Sequence, residues 1–98
     1  MLKKDYSQTG GACQVTFELP SEVNAQAACL CGEFNDWDTT SHPMERREDG
    51  GFSLTLALEP GQQYHFRYLL DGERWENDWA ADGYVANSFG SEDSLVQV

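Results

Sequence analysis

Basic residues are scarce in this sequence. Only 6 of its 98 residues are Lys or Arg, against 17 Asp and Glu, so the formal net charge is -11. The only adjacent basic pairs are Lys3-Lys4 and Arg46-Arg47. Because nucleic acids and anionic membranes are recognised through clustered Lys and Arg, neither is an expected partner. A neutral ligand meets no such repulsion, although an acidic surface by itself mainly favours solubility.

Long apolar runs are also lacking. No stretch reaches the ~18 apolar residues that a membrane span requires, and residues 1–4 are followed by polar Asp5 rather than by an apolar stretch of signal-peptide length. The sequence therefore predicts a protein that stays in the cytoplasm.

Cysteines are few and odd in number. Cys13, Cys29 and Cys31 occur in a chain without a signal sequence, which disfavours a disulfide framework and favours free, largely buried thiols. His42 and His65 belong to no H-x-x-x-H pair, and the cysteines form no C-x-x-C pair. No metal or other cofactor is expected.

Catalytic signatures are missing too. The sequence contains no G-x-S-x-G elbow, Walker loop, H-E-x-x-H or D-x-D-x-D-G calcium loop. A glycosidase needs two carboxylates roughly 5 to 10 Å apart across a cleft, and 17 acids produce such a pair by chance. A small domain also offers little cleft, so we expect no catalytic activity of its own.

The residues that are present favour one small β domain. Length and 40% apolar content suit a single domain spanning residues 1–98, with residues 1–11 as a loose tail. Period-two alternation predicts strands at 12–19, 52–58 and 64–70, and the apolar run 27–31 predicts a central strand covered on both faces. Residues 77–93 are expected to form a long polar connection. About seven short strands separated by turns predict an all-β, immunoglobulin-like antiparallel sandwich.

The three tryptophans stand apart from the aromatics of the strands. Trp37, Trp75 and Trp79 occur in loops or beside turns, among Asp, Asn and Glu. A flat indole can stack on the apolar face of a pyranose while neighbouring polar groups bond its hydroxyls. Arg67, on the outer face of its strand, is projected toward the same end of the sandwich as Trp75. The alternative is that each indole plugs an end of the sandwich.

Three segments carry a resemblance to a known family. Residues 30–37 (L-C-G-E-F-N-D-W), 64–75 and 87–98 resemble the family-48 carbohydrate-binding modules. These are early-set sandwich domains in front of isoamylases and glycogen branching enzymes, and in the β subunit of AMP-activated protein kinase. The resemblance covers residues 12–98 in the right order. It implies non-catalytic binding of α-glucan, as glycogen, starch or maltooligosaccharide.

The resemblance also implies a set of binding residues. Trp37 and Trp75 correspond to the two stacking tryptophans of the glycogen-binding members. Arg67 stands where those members have a lysine, and Phe89 where they have an apolar residue that supports a glucose unit. Ser91 matches a small hydroxyl position.

The departures from the family pattern concern three residues. Asp93 replaces an asparagine that bonds sugar hydroxyls, so it keeps acceptor oxygens but loses the amide donor. Arg74 is an extra residue in the turn before Trp75, and Trp79 has no counterpart.

Two further interpretations of the family resemblance are open. In related enzymes a catalytic barrel follows the module, and this chain ends where that barrel would begin, which suits either a free-standing module or a part of a larger enzyme. Some enzyme-attached members have lost glucan binding. The alternative to a glucan-binding module is therefore a protein-interaction or regulatory module whose partner is a glycogen-metabolising enzyme.

Overall fold

The fold consists of two antiparallel sheets packed face to face. The computed structural model describes residues 2–6, 11–88 and 90–98, and these form nine strands. The strands are β1 (Leu2–Tyr6), β2 (Cys13–Leu19), β3 (Ala28–Gly32), β4 (Glu45–Arg46), β5 (Phe52–Leu58), β6 (Gln63–Leu70), β7 (Arg74–Glu76), β8 (Gly83–Ala86) and β9 (Glu92–Gln97). One sheet has the order β1-β2-β5-β4, and the other has the order β3-β6-β9-β8 with β7 also paired to β6. The predicted all-β sandwich is confirmed, and it has more than the expected seven or so strands because β1 and β8 were not predicted.

The core lies between the sheets and follows the predicted alternation. Alternate side chains of β2, β5 and β6 point inward, and their partners come from β3 and β9. The innermost side chains, at most 1% exposed, include Val15, Phe17, Leu30, Phe52, Phe66, Tyr68, Leu70 and Val96. The rings of Phe17 and Phe66 meet edge to face with their centroids 5.1 Å apart. Side chains at alternate positions, such as those at 65, 67 and 69, therefore face outward from the second sheet.

Strand β1 corrects the prediction of a loose tail over residues 1–11 for residues 2–6, whereas residues 1 and 7–10 lie outside the described residues. Leu2–Tyr6 pairs antiparallel with β2 from Leu2 opposite Phe17 to Tyr6 opposite Cys13. Lys4 Nζ also lies 2.6 Å from Asp82 Oδ2, which ties this edge to the second sheet. An edge strand tolerates charged residues because one of its sides stays unpaired. Residues 2–6 are therefore mostly polar and show no alternation of apolar and polar positions that would predict a strand.

Strand β3 is buried on both faces as predicted, but it lies at the end of its sheet rather than in the centre. The segment that follows the 33–41 loop covers its outer edge. Leu30 N donates to His42 O (3.0 Å) and Met44 N donates to Ala28 O (2.8 Å). A single bridge between Cys29 and Pro43 completes this contact. The backbone groups at this edge are thereby bonded and cannot pair with a strand of another molecule, although no further full strand covers them.

The predicted polar connection over residues 77–93 contains a strand, β8, so residues 77–88 are more ordered than their polar composition predicts. A buried anchor holds it: Asp78 is 1% exposed and its Oδ2 accepts a hydrogen bond of 2.6 Å from the Tyr68 hydroxyl. Asp78 N donates to Ser94 Oγ at 2.8 Å, and Asp78 Oδ1 accepts from Ala80 N at 2.8 Å. Burial, and then the nearby Asp78 charge, raise the pKa of Tyr68 well above its usual range, so the hydroxyl remains a donor.

Tyr68→Phe is expected to lower the free energy of unfolding by about 2 kcal/mol, because it removes a buried hydrogen bond to a carboxylate. Urea unfolding followed by fluorescence measures this loss. Tyr6→Phe is the matched control, since Tyr6 is 52% exposed and removal of its hydroxyl changes little. Equal stability of the two variants would contradict the role of the Tyr68–Asp78 bond.

None of the described segments forms a helix with the length and apolar character needed to cross a membrane.

Candidate functional site

A groove of about 580 Å³ lies on the outer face of the five-stranded sheet, where β6 changes its neighbour. Along one edge, β6 pairs with β9 through residues 63–66 and with β7 through residues 68–70. Arg67 sits at the junction. The groove is lined by Trp37, Arg67, Trp75, Asn87, Ser88 and Asp93. Four of the six predicted site residues therefore meet, but on the face of a sheet and not at the end of the sandwich.

Trp75 reaches the groove through the register of a tight hairpin. It is opposite Leu69, so it shares the outer face with Arg67. The turn that sets this register has positive φ at Asp71 (54°) and Gly72 (72°), as tight hairpin turns require. Arg74, the extra residue of this turn, donates from its guanidinium to the carbonyl oxygen of Val23. Trp75 is a strand residue and is still 41% exposed.

Arg67 is held against this indole. Its Cζ lies 5.5 Å from the centre of the Trp75 ring, which is within the range of a cation–π contact. Its Nε is buried and has no hydrogen-bond partner among the described residues. One face of the indole thus supports the guanidinium. The remaining guanidinium nitrogens can donate to a ligand in the groove.

Trp37 enters the groove from the loop after β3. Its backbone is left-handed, with φ of 59°, directly after Asp36 with φ of 54°. An aromatic residue in this region costs on the order of 1 to 3 kcal/mol. Trp37 N donates to Gly32 O at 2.9 Å, and Asp38 N donates to Asn35 O at 3.1 Å. These bonds hold the strained turn that directs the half-buried indole toward Arg67.

The residues before Trp37 explain the G-x-F-N-x-W pattern. Phe34 anchors the loop in the core, with its ring 5.8 Å from Phe17 and 6.0 Å from Tyr64. Asn35 Oδ1 accepts from Gly32 N at 3.0 Å, and Asn35 Nδ2 donates to the carbonyl oxygen of Leu30 at the same distance. The Asn35 side chain thus bonds backbone groups of Leu30 and Gly32 at the end of β3, as a neighbouring strand would do. Each motif residue positions Trp37.

Asp38 and His42 complete this loop. The backbone N–H (2.8 Å) and hydroxyl (2.9 Å) of Thr40 donate to Asp38 Oδ1, and these bonds lower the pKa of Asp38. His42 Nδ1 lies 2.9 Å from Asn35 Nδ2 and 2.9 Å from Ser41 Oγ. Because an amide nitrogen only donates, Nδ1 of His42 accepts the hydrogen bond from Asn35.

Cys31 lies under the groove, opposite Arg67 in the neighbouring strand. Burial, with a smaller contribution from Cys29 and Asp38, raises the pKa of Cys31 to about 11. The thiol is therefore protonated at neutral pH and is neither a nucleophile nor a ligand there. Cys13, Cys29 and Cys31 are all free, and Cys13 and Cys31 are fully buried, as predicted.

Asn87 and Ser88 are groove residues that the sequence did not single out. Asn87 Nδ2 donates to Asp93 Oδ1 at 3.0 Å and also lies 3.0 Å from Ser91 Oγ. Asn87 N donates to Ser91 O at 2.9 Å, which closes the loop between β8 and β9. The sequence signal for these two residues is the run of turn-forming residues that follows β8. It marks a loop but gives no indication that the loop folds over Arg67.

This geometry is that of an open polar groove lined by two indoles, an arginine and an aspartate, and it can be compared with known proteins. The sequence from residue 5 to residue 85 matches the family model described as carbohydrate-binding module 48 (isoamylase N-terminal domain). The chain belongs to this family.

Several known proteins are similar in sequence to this carbohydrate-binding module. The 1,4-alpha-glucan branching enzyme GlgB of Photobacterium profundum is 41% identical over 76 residues, which cover 74% of this chain and 10% of that enzyme. Protein FLOURY ENDOSPERM 6, chloroplastic, of Oryza sativa subsp. japonica is 40% identical over 74 residues (76% and 13%). Protein PTST homolog 2, chloroplastic, of Arabidopsis thaliana is 33% identical over 75 residues (74% and 13%). The chain thus spans only 10% to 13% of the length of these relatives.

The remaining predicted site residues of this carbohydrate-binding module take different positions. Ser91 is exposed and lies behind the groove, where it holds Asn87. Phe89 lies outside the described residues. Trp79 is 52% exposed but is not part of the groove lining, and its Nε1 lies 3.4 Å from Glu76 Oε1. Within residues 2–6, 11–88 and 90–98, no group of three or more His, Cys, Asp or Glu side chains could hold a metal ion.

Proposed function

We propose that the groove binds a chain of α-linked glucose, as in glycogen, starch or maltooligosaccharide, without changing it chemically. The observation that carries this proposal is the meeting of Trp37 and Trp75 in one open groove, with hydrogen-bonding side chains between them. A glucose ring has two apolar faces and a rim of hydroxyls. Two indoles and a set of polar side chains correspond to these two parts of the ligand.

The polar part of the groove suits hydroxyl groups. Arg67 offers donors and the Asp93 carboxylate offers acceptors, while the Asn87 amide holds that carboxylate through a hydrogen bond of 3.0 Å. One cation and one anion leave the lining close to electrical balance, in a protein with a net charge of -11. A neutral sugar therefore suits this groove, since the lining has almost no net charge that a charged ligand would have to balance.

The open form of the groove favours a polymer over a single sugar. Its lining lies on the outer face of a sheet, so one side of a bound sugar chain stays open to solvent. Affinity for one segment is expected to be modest, whereas many modules can occupy one branched polymer. The relatives named as 1,4-alpha-glucan branching enzymes support an α-glucan as the ligand. A cytoplasmic location, predicted from the sequence, agrees with glycogen as the polymer.

Electrophoresis in native gels is the experiment that tests this function. Glycogen or soluble starch in the gel is expected to retard the protein, and maltoheptaose is expected to release it and to change its tryptophan emission. A gel with hydroxyethylcellulose, a β-linked glucan, is the control and should not retard it. We also expect no release of reducing sugar.

Equal mobility in all the gels would overturn the proposal. Capture of a glycogen-metabolising enzyme by a protein that shows no such retardation would favour the alternative, a protein-interaction module. Retardation by cellulose and glycogen alike would mean that the indoles bind sugars without selecting the α-linkage.

A further inference from the structure

The carboxylate of Asp93 is held from two sides. Its side chain is only 10% exposed although it lines the groove. Oδ1 accepts the hydrogen bond from Asn87 Nδ2 at 3.0 Å, and Oδ2 lies 3.4 Å from Nδ1 of His65. Each oxygen therefore faces a nitrogen of the protein. The remaining lone pairs are available to a ligand in the groove.

His65 lies beside the groove but does not line it. It is two residues before Arg67 on the outer face of β6, and its side chain is 35% exposed. The charged groups around it are Asp93 from β9, Arg67 on its own strand, and Glu33, whose Oε1 accepts from His65 N at 2.7 Å. Of these groups, Asp93 contacts the imidazole ring itself, whereas Glu33 contacts the backbone N–H of His65.

We propose that His65 is a positioning residue for Asp93 and that protonation of His65 strengthens glucan binding. This inference rests on the proposed function. A sugar that covers the groove removes the remaining water from the Asp93 carboxylate, and a carboxylate deprived of water is costly unless an opposite charge is close. A protonated imidazole at 3.4 Å supplies that charge and also donates to Oδ2. In the neutral imidazole, the tautomer without a proton on Nδ1 directs a lone pair at the Asp93 carboxylate. It then neither donates to Oδ2 nor supplies a positive charge.

The sign of the pH dependence follows from linkage. If the bound state favours the protonated imidazole, then protonation favours the bound state to the same degree. Imidazole changes charge between about pH 5 and 8. The contribution of the His65–Asp93 pair to affinity is therefore expected to rise as the pH falls through this range and to be small at its upper end.

Protonation of the second histidine, His42, is expected to have the opposite effect on binding. His42 Nδ1 accepts from the Asn35 amide, so protonation at that nitrogen breaks a bond that supports the Trp37 loop. Acidification thus weakens one side of the groove while it strengthens the other. The pH profile of the wild type alone cannot separate the two, and the test has to cancel the effect of His42.

A double-mutant cycle measured at two pH values provides this separation. The dissociation constant for maltoheptaose is measured by calorimetry for the wild type, His65→Gln, Asp93→Asn and the double variant. Gln keeps a donor but does not titrate, and His42 is present in all four proteins. The interaction between the two substitutions is expected to be about fivefold in the dissociation constant near pH 5.5 and below about twofold near pH 8.

The outcomes distinguish this inference from the proposed function. The same interaction at both pH values, or none at either, would overturn the role of His65 while leaving glucan binding intact. No binding by the wild type at any pH would instead overturn the proposed function.

A measurement on the wild type keeps the inference testable if a variant does not fold. The midpoint of the His65 NMR titration is expected to move to higher pH when maltoheptaose is added. A midpoint that does not move, or that moves to lower pH, would overturn the inference.

Discussion

Replacing Trp75 by alanine is expected to weaken the binding of maltoheptaose by about 30-fold, which corresponds to about 2 kcal/mol. The indole is 41% exposed and offers a flat apolar face to a glucose ring. Alanine removes that face and also the support for Arg67, whose Cζ lies 5.5 Å from the ring centre. Stacking and hydrogen bonding are thus lost together. Trp37→Ala is expected to have an effect of similar size, because Trp37 lines the same groove.

Trp79→Ala is the matched control for these two variants. It makes the same chemical change at an indole that is 52% exposed but absent from the groove lining. Calorimetry is expected to show less than about a twofold change, as for a contact outside the binding centre. Equal losses in Trp75→Ala and Trp79→Ala would place the glucan elsewhere. Unchanged affinity in both Trp37→Ala and Trp75→Ala would reject the groove.

The strands of the core could be predicted because each position depends on only a few neighbours. In β6, alternation alone places Phe66, Tyr68 and Leu70 inside and Arg67 outside, and the structure agrees. Period-two patterns survive in the sequence wherever one face of a strand is buried and the other is not. Polar edge strands lack this contrast, so β1 was not detectable.

The groove could be predicted only in part, because its residues come from separate segments that meet only through the pairing of β6 with β7 and β9. Trp37 and Trp75 stand out in the sequence, since large aromatics are unusual among turn-forming residues. His65 and Asn87 do not stand out, and both gain significance only from their contacts with Asp93. Those contacts depend on the register of β9 against β6 and on how the 87–91 loop folds. No local pattern in the sequence encodes either feature.

Gly32→Ala is expected to lower the free energy of unfolding by about 3 kcal/mol. A Cβ at this position would lie 2.6 Å from the backbone oxygen of His65, 2.8 Å from Phe34 Cζ and 3.0 Å from Phe66 Cβ. The first contact is with backbone and the others are with side chains of the packed interior, so none can move freely. Strands β3 and β6 would have to separate where the Trp37 loop begins. Urea unfolding measures the loss, and glucan affinity should fall with it.

Gly83→Ala tests whether a methyl group on a glycine of this sheet is harmful in general. A Cβ on Gly83, in β8, would meet only the Leu95 side chain, at 3.5 Å and 3.9 Å, which is ordinary contact. Its stability is expected to stay within about 0.5 kcal/mol of the wild type. A Gly32→Ala protein as stable as Gly83→Ala would mean that the two strands can part without cost. The close approach at Gly32 would then not be what directs the chain out of β3, and the position of Trp37 would depend on the Phe34 ring contacts and on the hydrogen bonds of Asn35 and Trp37.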